Sequence, residues 1–254
     1  MRLDQRLVHL GLAPSRARAQ ALIRDGMAVI DGVPARKPGQ IVSDASHIEL
    51  KGDACPWVSR AGLKLAHALE IFGVSMSGCV VLDLGASTGG FTEVCLAQGA
   101  ARVYAVDVGR GQLHERLRAD PRVVDLSATH ARAVDATLIP ERPDRLVADV
   151  SFISLTKALP TPLSRLAPAS ELVLLVKPQF ELDPKRIGKG GHVKDPADLS
   201  MAVDRVSTWL RERGWREIST CPSPIRGGDG AIEFLLAAKA WDDPAAPKGR
   251  DLSE

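Results

Sequence analysis

Apolar positions in the first fifty residues change period partway along. Leu3, Leu7, Val8 and Leu10 recur at helical spacing and predict a short amphipathic helix stopped near Gly11. After Leu12-Ala13-Pro14, Ser15 is placed to N-cap a second helix running from Arg16 to Ile23 and ended by Gly26. Met27-Ala28-Val29-Ile30 then reads as a strand and Asp31-Gly32 as a tight hairpin turn. Ile41-Val42 and His47 to Leu50 supply further short strands. In Lys51-Gly52-Asp53-Ala54-Cys55-Pro56 both periodicities break, which makes residues 51–58 a linker.

From Gly78 onward short apolar runs alternate with helical stretches. The runs Cys79 to Leu84, Arg102 to Val106, Arg122 to Leu126, Arg145 to Ala148 and Leu172 to Val176 are the expected strands. Such alternation predicts a mostly parallel sheet covered by helices on both faces. Glu217 to Cys221 and Ile232 to Ala238 flank a Gly- and Pro-rich loop and predict an antiparallel pair at the sheet's edge. The chain is thus expected to hold a small α+β domain over 1–50, the linker 51–58, an α/β domain over 59–241 and a disordered tail over 242–254.

Composition narrows the class. Hydrophobic content of 45% with 25% charged residues fits a globular protein. No run approaches the roughly 18–20 apolar residues of a membrane span, and the first residues lack a signal-peptide apolar core. A cytoplasmic protein without membrane partners is expected. Cys55, Cys79, Cys95 and Cys221 form no C-x-x-C pair, so reduced thiols are expected and no metal. The net charge of +2 divides unevenly: residues 1–60 hold nine Lys/Arg against six Asp/Glu. A basic amino-terminal end hints at a polyanion partner.

Within that end, Arg2 and Arg6 lie one helical turn apart, and Arg16 and Arg18 stand at the start of the second helix. Arginines so placed can fork onto phosphate oxygens, helped by helix N-terminal amides. The run Arg2-Leu3-Asp4-Gln5-Arg6-Leu7-Val8, Gly11-Leu12-Ala13, Ser15-Arg16, Ala21-Leu22-Ile23, Gly26, Ala28-Val29-Ile30, Gly32 and Lys37-Pro38-Gly39 resembles an S4 RNA-binding domain.

The run Val80-Val81-Leu82-Asp83-Leu84-Gly85-Ala86-Ser87-Thr88-Gly89-Gly90-Phe91 passes from a buried strand into a helix. Relative to the dinucleotide fingerprint, Ser87 replaces the middle glycine, and no Gly-Lys-Ser/Thr follows to make a phosphate loop. The loop suits a nucleoside joined to a zwitterionic amino acid better than a pyrophosphate. Asp83 can act on the ammonium, and Asp107, roughly 20 residues beyond the glycines, on paired ribose hydroxyls. This pattern resembles the first two motifs of class I methyltransferases, which implies S-adenosyl-L-methionine as cofactor. The third strand and Thr129-His130 should pass the adenine, with the contacting residue left open.

A ribose 2′-hydroxyl is a poor nucleophile. Methylating it needs in-line placement and a group that accepts or steers its proton. A lysine made less basic by burial or nearby positive charge can do this while carboxylates hold it in place. At strand ends and before the first strand stand Lys64, Asp149, Lys177 and Glu233. Two lysines and two acids in this order resemble the tetrad of FtsJ-type 2′-O-methyltransferases. That resemblance makes Lys177 the group that activates the hydroxyl, with Lys64 and Glu233 tuning it. It places Asp149 between Lys177 and the methyl group.

The S4-like module, Val58-Ser59-Arg60 with Lys64-Leu65, Ala148-Asp149-Val150-Ser151-Phe152-Ile153-Ser154-Leu155, Lys177-Pro178-Gln179-Phe180-Glu181, Gly188-Lys189-Gly190-Gly191 and Gly230-Ala231-Ile232-Glu233-Phe234 together resemble the TlyA family of ribosomal RNA cytidine 2′-O-methyltransferases, often labelled haemolysin A. The resemblance covers nearly the whole chain. It implies a small S4 domain followed by a Rossmann-like class I methyltransferase domain with a mostly parallel seven-stranded sheet. Ribosomal RNA or ribosomal subunits are the implied partners. By the same resemblance Ser59, Asp83, Gly85, Ser87, Thr88, Gly89, Gly90, Phe91, Asp107 and Asp149 are cofactor residues, and Arg2, Arg6, Arg16, Arg18, Lys37, Arg60 and Lys189 face RNA. The family's Thr-Asn-x-Arg stretch reads Thr129-His130-Ala131-Arg132 here, a departure that bears on local cofactor contacts. Lys189-Gly190-Gly191 is expected to be a lid or an RNA-contacting loop.

Three other readings compete. A membrane-active haemolysin lacks an apolar span or a strongly amphipathic basic helix. An RNA-binding protein with a non-catalytic methyltransferase-like domain has no use for a complete tetrad. A base methyltransferase acting on exocyclic amines would carry Asn/Asp-Pro-Pro-aromatic where this chain has Asp149-Val150-Ser151-Phe152.

Overall fold

The computed structural model describes residues 1–13, 16–24, 26–50, 55–188, 190–227 and 230–240, apart from the side chains of Ala17, Arg18 and Ala21. Ser15, residues 51–54 of the linker, Lys189 and the tail from Asp242 lie outside the described residues, as does the Arg18 side chain. The chain divides into two units, Met1–Ala54 and Cys55–Glu254.

The first unit runs α1 (Leu3–His9), α2 (Arg16–Arg24), β1 (Ala28–Ile30), β2 (Val33–Pro34) and β3 (Ile48–Leu50). Leu3 and Leu7 on α1 meet Leu22 and Ile23 on α2 over Ala28 and Ile48, which forms this unit's own core. β1 is the central strand, antiparallel to both β2 and β3. Asp31 and Gly32 both adopt positive φ, 49° and 83°, as a two-residue hairpin turn of matching twist requires. The strand expected at Ile41-Val42 is only a single bridge between Ile41 and Arg2. Its partner segment ends where α1 begins at Leu3, so no ladder can grow.

The second unit opens with α3 (Ala61–Phe72), β4 (Val80–Leu84), α4 (Gly90–Ala97), β5 (Arg102–Asp107), α5 (Glu115–Arg118) and β6 (Val123–Ser127). It continues through β7 (Arg145–Ala148), α6 (Leu155–Ala158), α7 (Pro160–Ser164), β8 (Glu171–Val176) and α8 (Pro178–Glu181). Last come α9 (Pro196–Glu212), β9 (Trp215–Pro222) and β10 (Phe234–Ala240). Seven strands form one sheet in the order β6-β5-β4-β7-β8-β10-β9. β4 to β8 are parallel to one another, and β10 runs antiparallel between β8 and β9. The expected mostly parallel sheet with an antiparallel edge pair is what forms.

Strand alternation divides the core between the two faces. Val81, Val103, Val173 and Leu175 pack with Leu65 and Val94 of α3 and α4. Leu82, Tyr104, Leu172 and Leu174 pack with Val206 and Leu210 of α9. α9 is set by Asp195, whose side chain accepts the Ala197 N–H, and by Pro196 in the first turn. From β4 the chain builds outward through β5 and β6 on one side, and through β7 and β8 on the other. The direction reverses between β4 and β7, and open α/β sheets bind ligands at such a point, beyond the carboxyl ends of the strands. β10 begins at Phe234, so Ile232 and Glu233 precede the ladder rather than belonging to it.

Candidate active site

A cleft of about 340 Å³ opens at that reversal point, a size that suits a small-molecule ligand. Its walls come from the ends of β4 (Leu84, Gly85, Ser87), β5 (Val106, Asp107) and β7 (Asp149, Ser151, Phe152), with Thr129 and His130 after β6. The last two lie on the wall that the third strand was expected to supply.

The glycine loop takes its shape from close backbone approach. Gly85 sits at φ +81°, and a Cβ there would run into the carbonyl of Asp149. Only glycine lets the turn after β4 pass the end of β7 so closely. A Cβ on Gly90 would strike the Ser59 hydroxyl, which packs Ser59 against the start of α4. Gly89 caps that helix at φ 97°, and Phe91 turns into the core. The Thr88 carbonyl accepts the His114 N–H at 3.2 Å.

Asp107 is the organising acceptor of the loop. Its Oδ2 accepts the Ser87 N–H at 2.8 Å and its Oδ1 the Gly109 N–H at 2.6 Å. Each oxygen retains a lone pair, so the carboxylate can still receive ligand hydroxyls from the cleft. Asp83 behaves differently. It is fully buried, is not on the cleft wall, and accepts a 2.6 Å hydrogen bond from Thr92 Oγ1 through Oδ2. Its Oδ1 has no partner. Burial pushes its pKa up to about 7, against the Thr92 hydrogen bond and with the help of the negative Asp149 and Asp107. Any action of Asp83 on a ligand must therefore pass through the loop above it.

The four tetrad residues form two ion pairs. Lys177, just past β8, places Nζ 2.6 Å from Asp149 Oδ1 and donates to Ser151 Oγ at 2.7 Å. The Asp149 approach lacks hydrogen-bond angles, so it is an ionic contact while the directed proton goes to Ser151. Asp149 and Ser151 line the cleft, whereas Lys177 reaches it through them. Lys64 on α3 pairs with Glu233 at 2.5 Å, both side chains under one-tenth exposed. The pairing Phe234↔Val176 sets Glu233 one residue beyond the ladder, alongside Lys177.

Of the residues expected to face RNA, Arg2 and Arg16 converge on one buried carboxylate. Asp4 takes Arg2 Nε at 3.0 Å, Arg16 Nε at 2.9 Å and Gln20 Nε2 at 2.8 Å. These hydrogen bonds hold its carboxyl well below the usual carboxylate range, that of Arg2 contributing most. Both arginine side chains remain about half exposed, 41% and 54%. Arg6 is tied to Asp44 and only 14% exposed. Lys37 is exposed, and Arg60 donates to the Arg226 carbonyl at 3.4 Å. Lys189 lies outside the described residues. Its neighbours Gly190 and Gly191 sit at φ 84° and 81°.

Two cleft residues carry no role in the sequence reading. Ser151 is the Lys177 partner. Phe152 is 91% exposed with φ at 65°, its ring 5.4 Å from that of Phe180. Positive φ in a bulky residue is strained and persists where the surroundings over-determine it. The available signal was proximity: Ser151 and Phe152 follow Asp149 directly, as Phe180 follows Lys177.

Comparison with known proteins places the chain. The S4 domain family matches residues 1–48 and the FtsJ-like methyltransferase family residues 57–240. The 16S/23S rRNA (cytidine-2′-O)-methyltransferase TlyA of Mycobacterium tuberculosis is 45% identical over 245 residues, 96% of this chain and 91% of that protein. This chain belongs to the TlyA family. Another relative carries a different name: Hemolysin A of Brachyspira hyodysenteriae is 38% identical over 92% of this chain and 98% of that protein. A solved structure from Streptococcus thermophilus with a provisional hemolysin name superposes at a TM-score of 0.76. It is 37% identical and covers 96% of this chain and 90% of that one. Among the described residues no helix is long and apolar enough to cross a membrane. The Rossmann-like methyltransferase fold of the TlyA family is thus the fold of this chain's second unit.

Proposed function

We propose that this protein methylates a ribose 2′-hydroxyl, that of a cytidine, in ribosomal RNA, using S-adenosyl-L-methionine. The observation that carries this reading is Lys177, gripped by Asp149 and Ser151, which line the cleft. The cleft suits the cofactor: apolar walls at Val106, Val108 and Ile153 would flank an adenosine, and Asp107 would take its ribose hydroxyls. The carboxylates of Asp107 and Asp149 favour a ligand bearing positive charge. Ser87, Gly85 and the backbone around Gly89 would hold the amino-acid end. When bound, S-adenosyl-L-methionine supplies an electrophilic methyl group and leaves as a neutral thioether.

The chain's own residues then position and stabilise. A lysine ammonium has three donors: one on Lys177 goes to Ser151 Oγ, while Asp149 faces the charge as an ionic contact. Another can reach a ribose oxygen and stabilise negative charge on it as the hydroxyl proton passes to water. Asp149 keeps the ammonium from swinging away. The Lys64–Glu233 pair, buried beside Lys177, fixes the start of β10 and the local charge. Phe152, exposed at the rim, offers a stacking face to the base of the target nucleotide, as single-stranded RNA recognition requires. Arg2 and Arg16 on the first unit would engage phosphates. A substrate of this kind places the protein in the cytoplasm with the ribosomes.

The test is transfer of labelled methyl to unmodified ribosomal subunits by wild type and Lys177→Ala. Labelled 2′-O-methylcytidine from wild type, reduced by about a hundredfold or more in the variant, is the expected outcome. Labelled base, or undiminished transfer by the variant, would overturn it.

A further inference from the structure

The motif Lys177-Pro178-Gln179-Phe180-Glu181 ends on a residue that the reaction has not used. Glu181 is the last residue of α8 and only 2% exposed. Carboxylates are rarely buried so deeply unless paired, yet no ion pair is seen for it among the described residues. Its Oε2 accepts the Ser154 hydroxyl at 2.5 Å and its Oε1 the Leu155 N–H at 2.8 Å. Burial raises its pKa, against the Ser154 and Leu155 hydrogen bonds and, more weakly, the nearby Arg205, which itself bonds the Glu181 carbonyl at 2.7 Å.

Both acceptor bonds land just after the turn 149–153. That turn is therefore tied twice to one short segment: Lys177 holds Asp149 and Ser151 at its start, and Glu181 holds Ser154 and Leu155 at its end. Between the ties stands Phe152, strained at φ 65° and resting on Phe180. Ser154 is also the N-cap of α6, its side chain accepting the Thr156 N–H, so the far tie rests on a helix start. A strained exposed residue relaxes unless both flanks are fixed.

We infer that Glu181 is a positioning residue for methyl transfer: its buried carboxylate locks the turn that presents Ser151 to Lys177 and Phe152 to the target nucleotide. The inference rests on the methyltransferase reading above. Glu181→Asp withdraws the carboxylate by one methylene, beyond reach of both donors at their present lengths. Glu181→Gln keeps the length and one good acceptor, and the Ser154 hydroxyl can turn to accept the amide N–H.

The experiment measures kcat and KM for ribosomal subunits, together with cofactor affinity. Glu181→Asp is expected to lose about a hundredfold in kcat with little change in cofactor affinity, and Glu181→Gln to restore most of it. A double-mutant cycle with Phe152→Ala separates positioning from plain destabilisation. Once Phe152 is gone the turn has less to present, so the Glu181→Asp loss should shrink severalfold rather than multiply. Ser154→Ala removes one of the two bonds and gives a smaller loss of the same kind if Glu181→Asp does not fold. Wild-type kcat in Glu181→Asp or Ser154→Ala, or losses fully multiplicative with Phe152→Ala, overturns the inference while leaving the enzyme reading intact. No transfer by wild type brings down the reading, and the inference with it.

Discussion

A single backbone carbonyl decides what can stand at position 85. Alanine there would need φ near +81° and would press its Cβ against the Asp149 carbonyl, which belongs to a strand end and cannot swing aside. Left-handed strain and overpacking together predict a loss of about 2–4 kcal/mol for Gly85→Ala, read as a lower denaturant midpoint. Asp83 makes a prediction in pH. Folded, it keeps its proton up to about 7, whereas unfolded it releases it near about 3.9. Between those values the folded state binds more protons, so this group's contribution weakens as pH rises through the window and is flat above it. Asp83→Asn should lack that slope while keeping an acceptor for Thr92. Unfolding free energies at pH 5 and pH 8 should therefore lie closer together in the variant than in wild type.

At the scale of an element, α1 and α2 are joined through charge as well as through Leu3, Leu7, Leu22 and Ile23. Asp4 on α1 is reached by Arg16 and Gln20 of α2. Its lowered pKa means that this stabilisation is fully present above the unfolded value of about 3.9 and is lost as pH falls toward the folded one. Asp4→Asn should cost the first unit about 1–3 kcal/mol, since polar groups around it lose a charged acceptor. Faster amide hydrogen exchange along α1 and α2 in the full-length protein, with exchange of the β4 amides unchanged, would check this. The same variant should weaken RNA binding, because Arg2 and Arg16 lose their common anchor.

Across the whole molecule, the two units have separate cores. Removing residues 1–54 should leave cofactor affinity within a few-fold and abolish most methyl transfer to ribosomal subunits. Substituting Arg2 and Arg16 by Gln should lower RNA affinity and flatten its salt dependence by about one unit of log–log slope for each phosphate no longer neutralised. Titration of RNA binding against salt, beside cofactor binding by calorimetry, distinguishes weakened phosphate binding from a disrupted second unit.

The sequence by itself determined the strand–helix alternation, the glycine turn after β4, the acid ending β5 and the charged residues at strand ends. Each of these is a local signal: a period, a conformational demand or a charge beside an apolar run. Even the S4-like module was legible, because its hairpin and helix stops are written in neighbouring residues. Which charges pair had no local signal, and the tetrad was grouped only by resemblance. Lys64 and Glu233 pair across 169 positions. Asp83, expected to act on a ligand's ammonium, is buried against Thr92, and Arg6 turns to Asp44. Glu181 closes a turn 26 positions away. Only the tertiary structure decided these, because partner choice depends on three-dimensional distance and on which groups lose water together, and neither quantity has a period along the chain.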